Sequence, residues 1–274
     1  MRIRDVRVGK GHPIALISGL NVIESQEATI EAALAVQGVA ERHGFPVVFK
    51  ASFDKANRTS LHSYRGPGLD EGLRILDAVK QATGMPLLTD VHEPGHAKLV
   101  AEVVDCLQVP AFLSRQTDLI AACAATGAPI NLKKAQFMAP DDLHHVVEKA
   151  RVFGAAGVMI TERGALFGYH DLVVDFRGFA EQRRFAPLCF DATHSAQRPG
   201  AGERASAGNR NEVAPLARAA VAAGIDALFI EVHPDPENAP CDGQCQIRIA
   251  DLDRLLGEVS AIQDALGQAR SAQG

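Results

Sequence analysis

Val47-Val48-Phe49-Lys50-Ala51-Ser52-Phe53-Asp54-Lys55-Ala56-Asn57-Arg58-Thr59-Ser60 joins a short apolar run to a loop of cations and neutral donors. Residues 47–49 read as the end of a buried strand. A lysine directly after such a run is costly unless it meets a counter-charge at the strand's mouth. Lys50, Lys55 and Arg58, with Asn57, Thr59 and Ser60 beside them, suit a ligand carrying more than one phosphate or carboxylate group. A solvated basic loop is the competing reading. What stands at the ends of the other apolar runs decides between them.

Those runs are 14–20, 47–49, 86–88, 106–109, 129–132, 158–160, 187–190 and 227–230. They are near-continuous rather than alternating, as in parallel strands covered on both faces. Helical patterns over 70–82, 95–104, 118–125, 141–153, 211–223 and 251–266 separate them, and another starts after the N-cap Ser25 and stops at Gly44. Eight β/α units over about 250 residues predict a (β/α)8 TIM barrel. Residues 3–8 and 14–17, around the turn Gly9-Lys10-Gly11-His12, read as strand, glycine turn and strand. Residues 1–12 are expected to belong to an N-terminal β-hairpin closing the bottom of one barrel domain that spans 1–274. A doubly wound open sheet is the alternative, but no G-x-G-x-x-G or G-x-x-x-x-G-K motif follows any strand.

Composition narrows the function. The 274 residues carry a net charge of only −5, no tryptophan and two tyrosines, which excludes a broad basic face with stacking platforms for nucleic acid. No segment is long and apolar enough to span a bilayer, and the start lacks an apolar h-region. Five cysteines without a CxxC pair are expected to be free thiols in a reducing cytoplasm.

At the C-terminal ends of the eight runs stand Asn21, Lys50, Asp90, Gln108, Lys133, Arg163, His194 and Glu231. Singly, each has a structural explanation: Asp90 a helix cap, His194 a satisfied core histidine, Glu231 an arginine's partner, Gln108 bonded to backbone. Together they occupy the rim where barrel enzymes hold their chemistry. Lys50, Lys55, Arg58, Lys133, Lys134 and Arg163 focus positive potential there, which suits a small, highly anionic substrate. Asp90, His194, Glu231 and Asp242 are the candidate acids, bases or metal ligands among them.

The segments Lys55-Ala56-Asn57-Arg58-Thr59-Ser60, Thr89-Asp90-Val91-His92-Glu93-Pro94, Asn131-Leu132-Lys133-Lys134-Ala135-Gln136-Phe137 and Phe190-Asp191-Ala192-Thr193-His194-Ser195 resemble the 3-deoxy-D-manno-octulosonate 8-phosphate synthase family. The resemblance covers essentially the whole chain. It implies condensation of phosphoenolpyruvate with arabinose 5-phosphate, with release of phosphate, to supply a lipopolysaccharide sugar, in a homotetramer. It implies phosphoenolpyruvate contacts at Lys50, Lys55, Gln108, Lys133, Arg163 and His194. Contacts to the pentose phosphate are implied at Asn57, Arg58, Thr59 and Asp90, and Arg115 would reach it from a neighbouring subunit. Asn21, Lys133, His194 and Asp242 are the implied catalytic group, and residues 196–208 resemble the family's lid.

The family divides into metal-requiring and metal-free branches, separated chiefly by cysteine or asparagine on the first strand. Asn21 stands at that position, and an amide is a far poorer ligand than thiolate. Cys241-Asp242-Gly243 resembles the metal-requiring branch. No cofactor is expected to be required, with His194, Glu231 and Asp242 as vestigial metal ligands. Three alternatives are a related synthase making a heptulosonate 7-phosphate or a sialic acid, a Schiff-base aldolase using Lys133, and a non-catalytic phosphosugar-binding barrel.

Overall fold

The computed structural model describes residues 1–57, 61–167, 171–199 and 207–271. Arg58, Thr59 and the middle of the 196–208 segment lie outside these residues. Eight parallel strands form the barrel: β1 (Ala15–Val22), β2 (Val47–Ser52), β3 (Leu87–Asp90), β4 (Cys106–Val109), β5 (Ile130–Lys133), β6 (Val158–Glu162), β7 (Leu188–Asp191) and β8 (Ala227–His233). Each pairs with the next in sequence. β8 closes the ring, with Glu231 opposite Gly19 of β1 and Ala227 opposite Cys189 of β7. A closed ring leaves no open sheet edge, so the doubly wound alternative is excluded.

Helices α1 (Gln26–Arg42), α2 (Leu69–Thr83), α3 (Ala97–Val103), α4 (Thr117–Ala125), α5 (Leu143–Val152), α6 (Gly178–Phe185), α7 (Val213–Ala223) and α8 (Ile249–Ser271) follow the strands in turn. Ser25 caps α1 by accepting the Ala28 N–H at 3.2 Å. Gly84 ends α2 in the left-handed region at φ 69°. The polar stretch of α6 was not among the sequence-predicted helices. No described helix is long and apolar enough to cross a membrane.

Alternation of strand side chains divides the interior. Leu107 and Val109 of β4 join the large core between sheet and helices, while Gln108 between them points into the barrel. The lower lumen is apolar, filled by Ala15, Ile17, Val48, Leu88, Cys106, Met159, Cys189 and Phe229. Ile3, Val6 and Val8 join that cluster from below. They come from a hairpin of Arg2–Ile3 against Val6–Arg7, tighter than the sequence pattern predicts. Residues 14–17 pair inside the barrel instead, because Leu16 and Ile17 find partners in both β8 and β2.

Candidate active site

Two residues further along the same inward positions, the lumen turns polar. Val48 is followed by Lys50 and Ser52, Leu88 by Asp90, Cys106 by Gln108, Cys189 by Asp191 and Phe229 by Glu231. Above them opens a cavity of about 470 Å³. Its wall includes Lys50, Lys55, Asn57, Asp90, Gln108, Lys133, Arg163, His194 and Asp242. Asn21 and Glu231 are buried beside it.

One ion-pair network runs across the floor. Lys133 Nζ lies 2.6 Å from Asp191 Oδ2, and the same oxygen is 2.7 Å from His194 Nδ1. Asp191 also accepts the His194 backbone N–H at 2.9 Å, capping the one-turn helix that carries the histidine. Lys133 sits over the Phe229 ring at 4.2 Å. His194 Nε2 is 3.6 Å from Glu231 Oε2, and Glu231 Oε1 is 2.7 Å from Lys50 Nζ. Burial pushes both carboxyls up, but His194 with Lys133 at Asp191, and His194 with the lysines at Glu231, overcome it and hold both well below the usual range. For Lys50, burial pulls the ammonium down, yet Glu231 and Asp90 outweigh it and its pKa stands above normal.

Among the described residues, Arg163 makes no ion pair with a carboxylate. Its Nη2 donates to neutral Gln197 at 2.5 Å, while Nη1 has no partner among the described residues. Burial lowers its pKa. A buried guanidinium without a counter-ion is a site that an anion completes. Glu162 accepts the backbone N–H groups of Arg163 and Gly164 at 2.9 and 2.7 Å, which fixes the turn that aims it.

Asn21 stands between two carboxylates. Its Nδ2 donates to Glu231 Oε2 at 2.6 Å and to Asp242 Oδ2 at 3.3 Å. Both partners are acceptors, so the amide nitrogen must face them. Among the described residues, no three His, Cys, Asp or Glu side chains group as a metal site. Cys241 lines the cavity and reaches the Tyr64 carbonyl at 3.4 Å, and burial pushes its thiol up to about 11.

One sequence expectation falls outside this cavity. Lys134, one step out of phase with Lys133, points away from the lumen and pairs with buried Glu162 at 3.2 Å. Arg115, expected to serve a neighbouring subunit's site, is exposed and lies away from its own chain's cavity. Conversely, Asp191, Ser52, His92, Gln136 and Gln197 belong to the site without having been singled out. Asp191 had a legible signal, since it lies two residues beyond Cys189 on the inward face.

A closed (β/α)8 barrel with four cations, Lys50, Lys55, Lys133 and Arg163, gathered at the C-terminal mouth defines an enzyme of the barrel class. Residues 1–267 match the model of the DAHP synthetase I family, and the chain belongs to that family. It is 47% identical over 274 residues to the 2-dehydro-3-deoxyphosphooctonate aldolase of Hahella chejuensis, covering 98% of each chain. Proteins of the same name from Ectopseudomonas mendocina and Azotobacter vinelandii are 47% and 48% identical. Those matches cover 96% and 97% of this chain and 94% and 95% of theirs.

Proposed function

We propose that the protein condenses phosphoenolpyruvate with D-arabinose 5-phosphate and water, giving 3-deoxy-D-manno-octulosonate 8-phosphate and inorganic phosphate for lipopolysaccharide biosynthesis. The observation that carries this reading is the convergence of Lys50, Lys55, Gln108, Lys133, Arg163 and His194 on one cavity. These are the six residues that the family resemblance connects with phosphoenolpyruvate. Arg163, which has no carboxylate ion pair among the described residues, takes the substrate's anionic group. Lys133 polarises an oxygen of the reacting groups, and His194, tethered by Asp191, orients water or the sugar hydroxyls. Asn57, Arg58, Thr59 and Asp90 hold the pentose phosphate. The exposure of Arg115 supports its reaching a neighbour's sugar phosphate in a cytoplasmic homotetramer. The Lys133–Asp191 ion pair disfavours the Schiff-base alternative, because an engaged ammonium has no lone pair to offer.

The reaction needs no metal in this reading. Asn21 donates to both Glu231 and Asp242, an amide supplies a far poorer ligand than a thiolate, and Glu231 is already engaged in compensating Lys50. Phosphate release measured with each substrate alone and together is expected only with both, and to survive exhaustive chelation. Faster turnover with erythrose 4-phosphate would overturn the sugar assignment. Loss of activity in EDTA with recovery on adding manganese or zinc would overturn the metal-free assignment. Arg58→Ala is expected to raise the arabinose 5-phosphate KM by the equivalent of about 1.5–3 kcal/mol, one charge-assisted contact.

A further inference from the structure

His92 is neither a strand end nor one of the substrate contacts named above, yet it lines the same cavity. Its side chain is 10% exposed and its Nε2 lies 2.7 Å from Asp90 Oδ2. The ring packs edge-on against Phe53 at 5.2 Å between centroids. The other Asp90 oxygen accepts from the Ser52 hydroxyl, and Ser52 Oγ accepts in turn from Lys55 Nζ at 3.1 Å. Burial pushes the Asp90 carboxyl up, but His92, Lys55 and Lys50 overcome it and keep it well below the usual range. An ionised carboxylate only accepts, so the hydrogen of this bond sits on Nε2.

Nδ1 of His92 is buried and has no partner among the described residues. A ring kept for stability alone is expected to satisfy both nitrogens. Among the described residues the ring's one polar anchor is Asp90, and the ring in turn holds one oxygen of that carboxylate while Ser52 holds the other. We propose that His92 is the positioning residue of the aldehyde-binding side of the cavity, holding Asp90 in the orientation that receives the sugar. The proposal rests on the reaction assigned above and adds a residue to it.

Three variants test it. His92→Leu keeps an apolar body against Phe53 but removes the donor. His92→Gln carries an N–H to about the position of Nε2, whereas His92→Asn is too short to reach it and serves if His92→Leu does not fold. His92→Leu and His92→Asn are expected to raise the arabinose 5-phosphate KM about tenfold or more, the effect of one lost hydrogen bond to a charged group. The phosphoenolpyruvate KM is expected to stay unchanged, because Lys55 keeps its bond to Ser52, and His92→Gln to restore most of the loss. Variants with unaltered KM, both KM values rising together, or His92→Gln no better than His92→Leu would each reduce His92 to packing. Wild-type protein inert toward arabinose 5-phosphate would fail the reaction itself, a separate result.

Discussion

The Lys50–Glu231 pair shows how one residue's setting decides its worth. Both side chains are almost fully buried and lie 2.7 Å apart. Burying either charge alone is prohibitive, so each depends on the other, with Asp90 adding support for Lys50 and His194 for Glu231. Lys50→Met is expected to lower stability by about 3–5 kcal/mol, because Glu231 loses its closest cation, with His194 3.6 Å away left as the nearer remaining partner. Adding Glu231→Leu is expected to recover much of that stability and none of the activity. Urea denaturation of the single and double variants, alongside phosphate release, checks both. A double variant no more stable than the single one would show that the pair is not the cause.

At the scale of elements, β1 and β2 approach so closely that a side chain cannot stand between them. A Cβ built on Gly19 would lie 2.1 Å from the Lys50 carbonyl oxygen, and Gly19 has φ +156°. The register between the two strands shifts just after it, between Gly19 and Val22, and Asn21 in that interval donates to Glu231. Gly19→Ala must push backbone, not a flexible side-chain end. It is expected to cost more than about 2 kcal/mol and to displace Lys50 and Asn21 together. The measurement is the urea midpoint with kcat. An unchanged kcat in a destabilised variant would separate the strand contact from the site.

For the whole molecule, the buried carboxylates make stability depend on acid. Asp191 and Glu231 are held below their ordinary pKa in the folded state, whereas the unfolded chain returns them to about 4. Below that ordinary range the unfolded state binds more protons, so folding stability rises with pH there. Their contribution is therefore complete at neutral pH and is lost as pH falls through the carboxylate range and on below it. Urea midpoints at pH 7, 5 and 3 should be close for the first pair and clearly lower at the third. In Asp191→Asn the remaining drop should be smaller.

The eight apolar runs, their glycine stops and the polar residue after each were enough to define the barrel and most of its mouth. A strand covered on both faces must be apolar along its length, and a residue that breaks that rule at the same end of every strand exposes itself. Phase within the strand was weaker information. Lys133 and Lys134 look equivalent in the sequence, but only alternate residues enter the lumen, and the second of them pairs with Glu162 behind the wall. The hairpin boundary was likewise decided in three dimensions, because Leu16 and Ile17 pair with a barrel strand on each side. Contacts between distant residues lie further beyond a sequence. Asn21 with Glu231 is separated by 210 positions, and Lys133 with Asp191 by 58. The chain thus determined by itself which residues could carry charge at the rim. Only closure of the barrel decided which charges meet, because the pairing energy of a buried ion depends on a geometry that strands far apart in sequence create together.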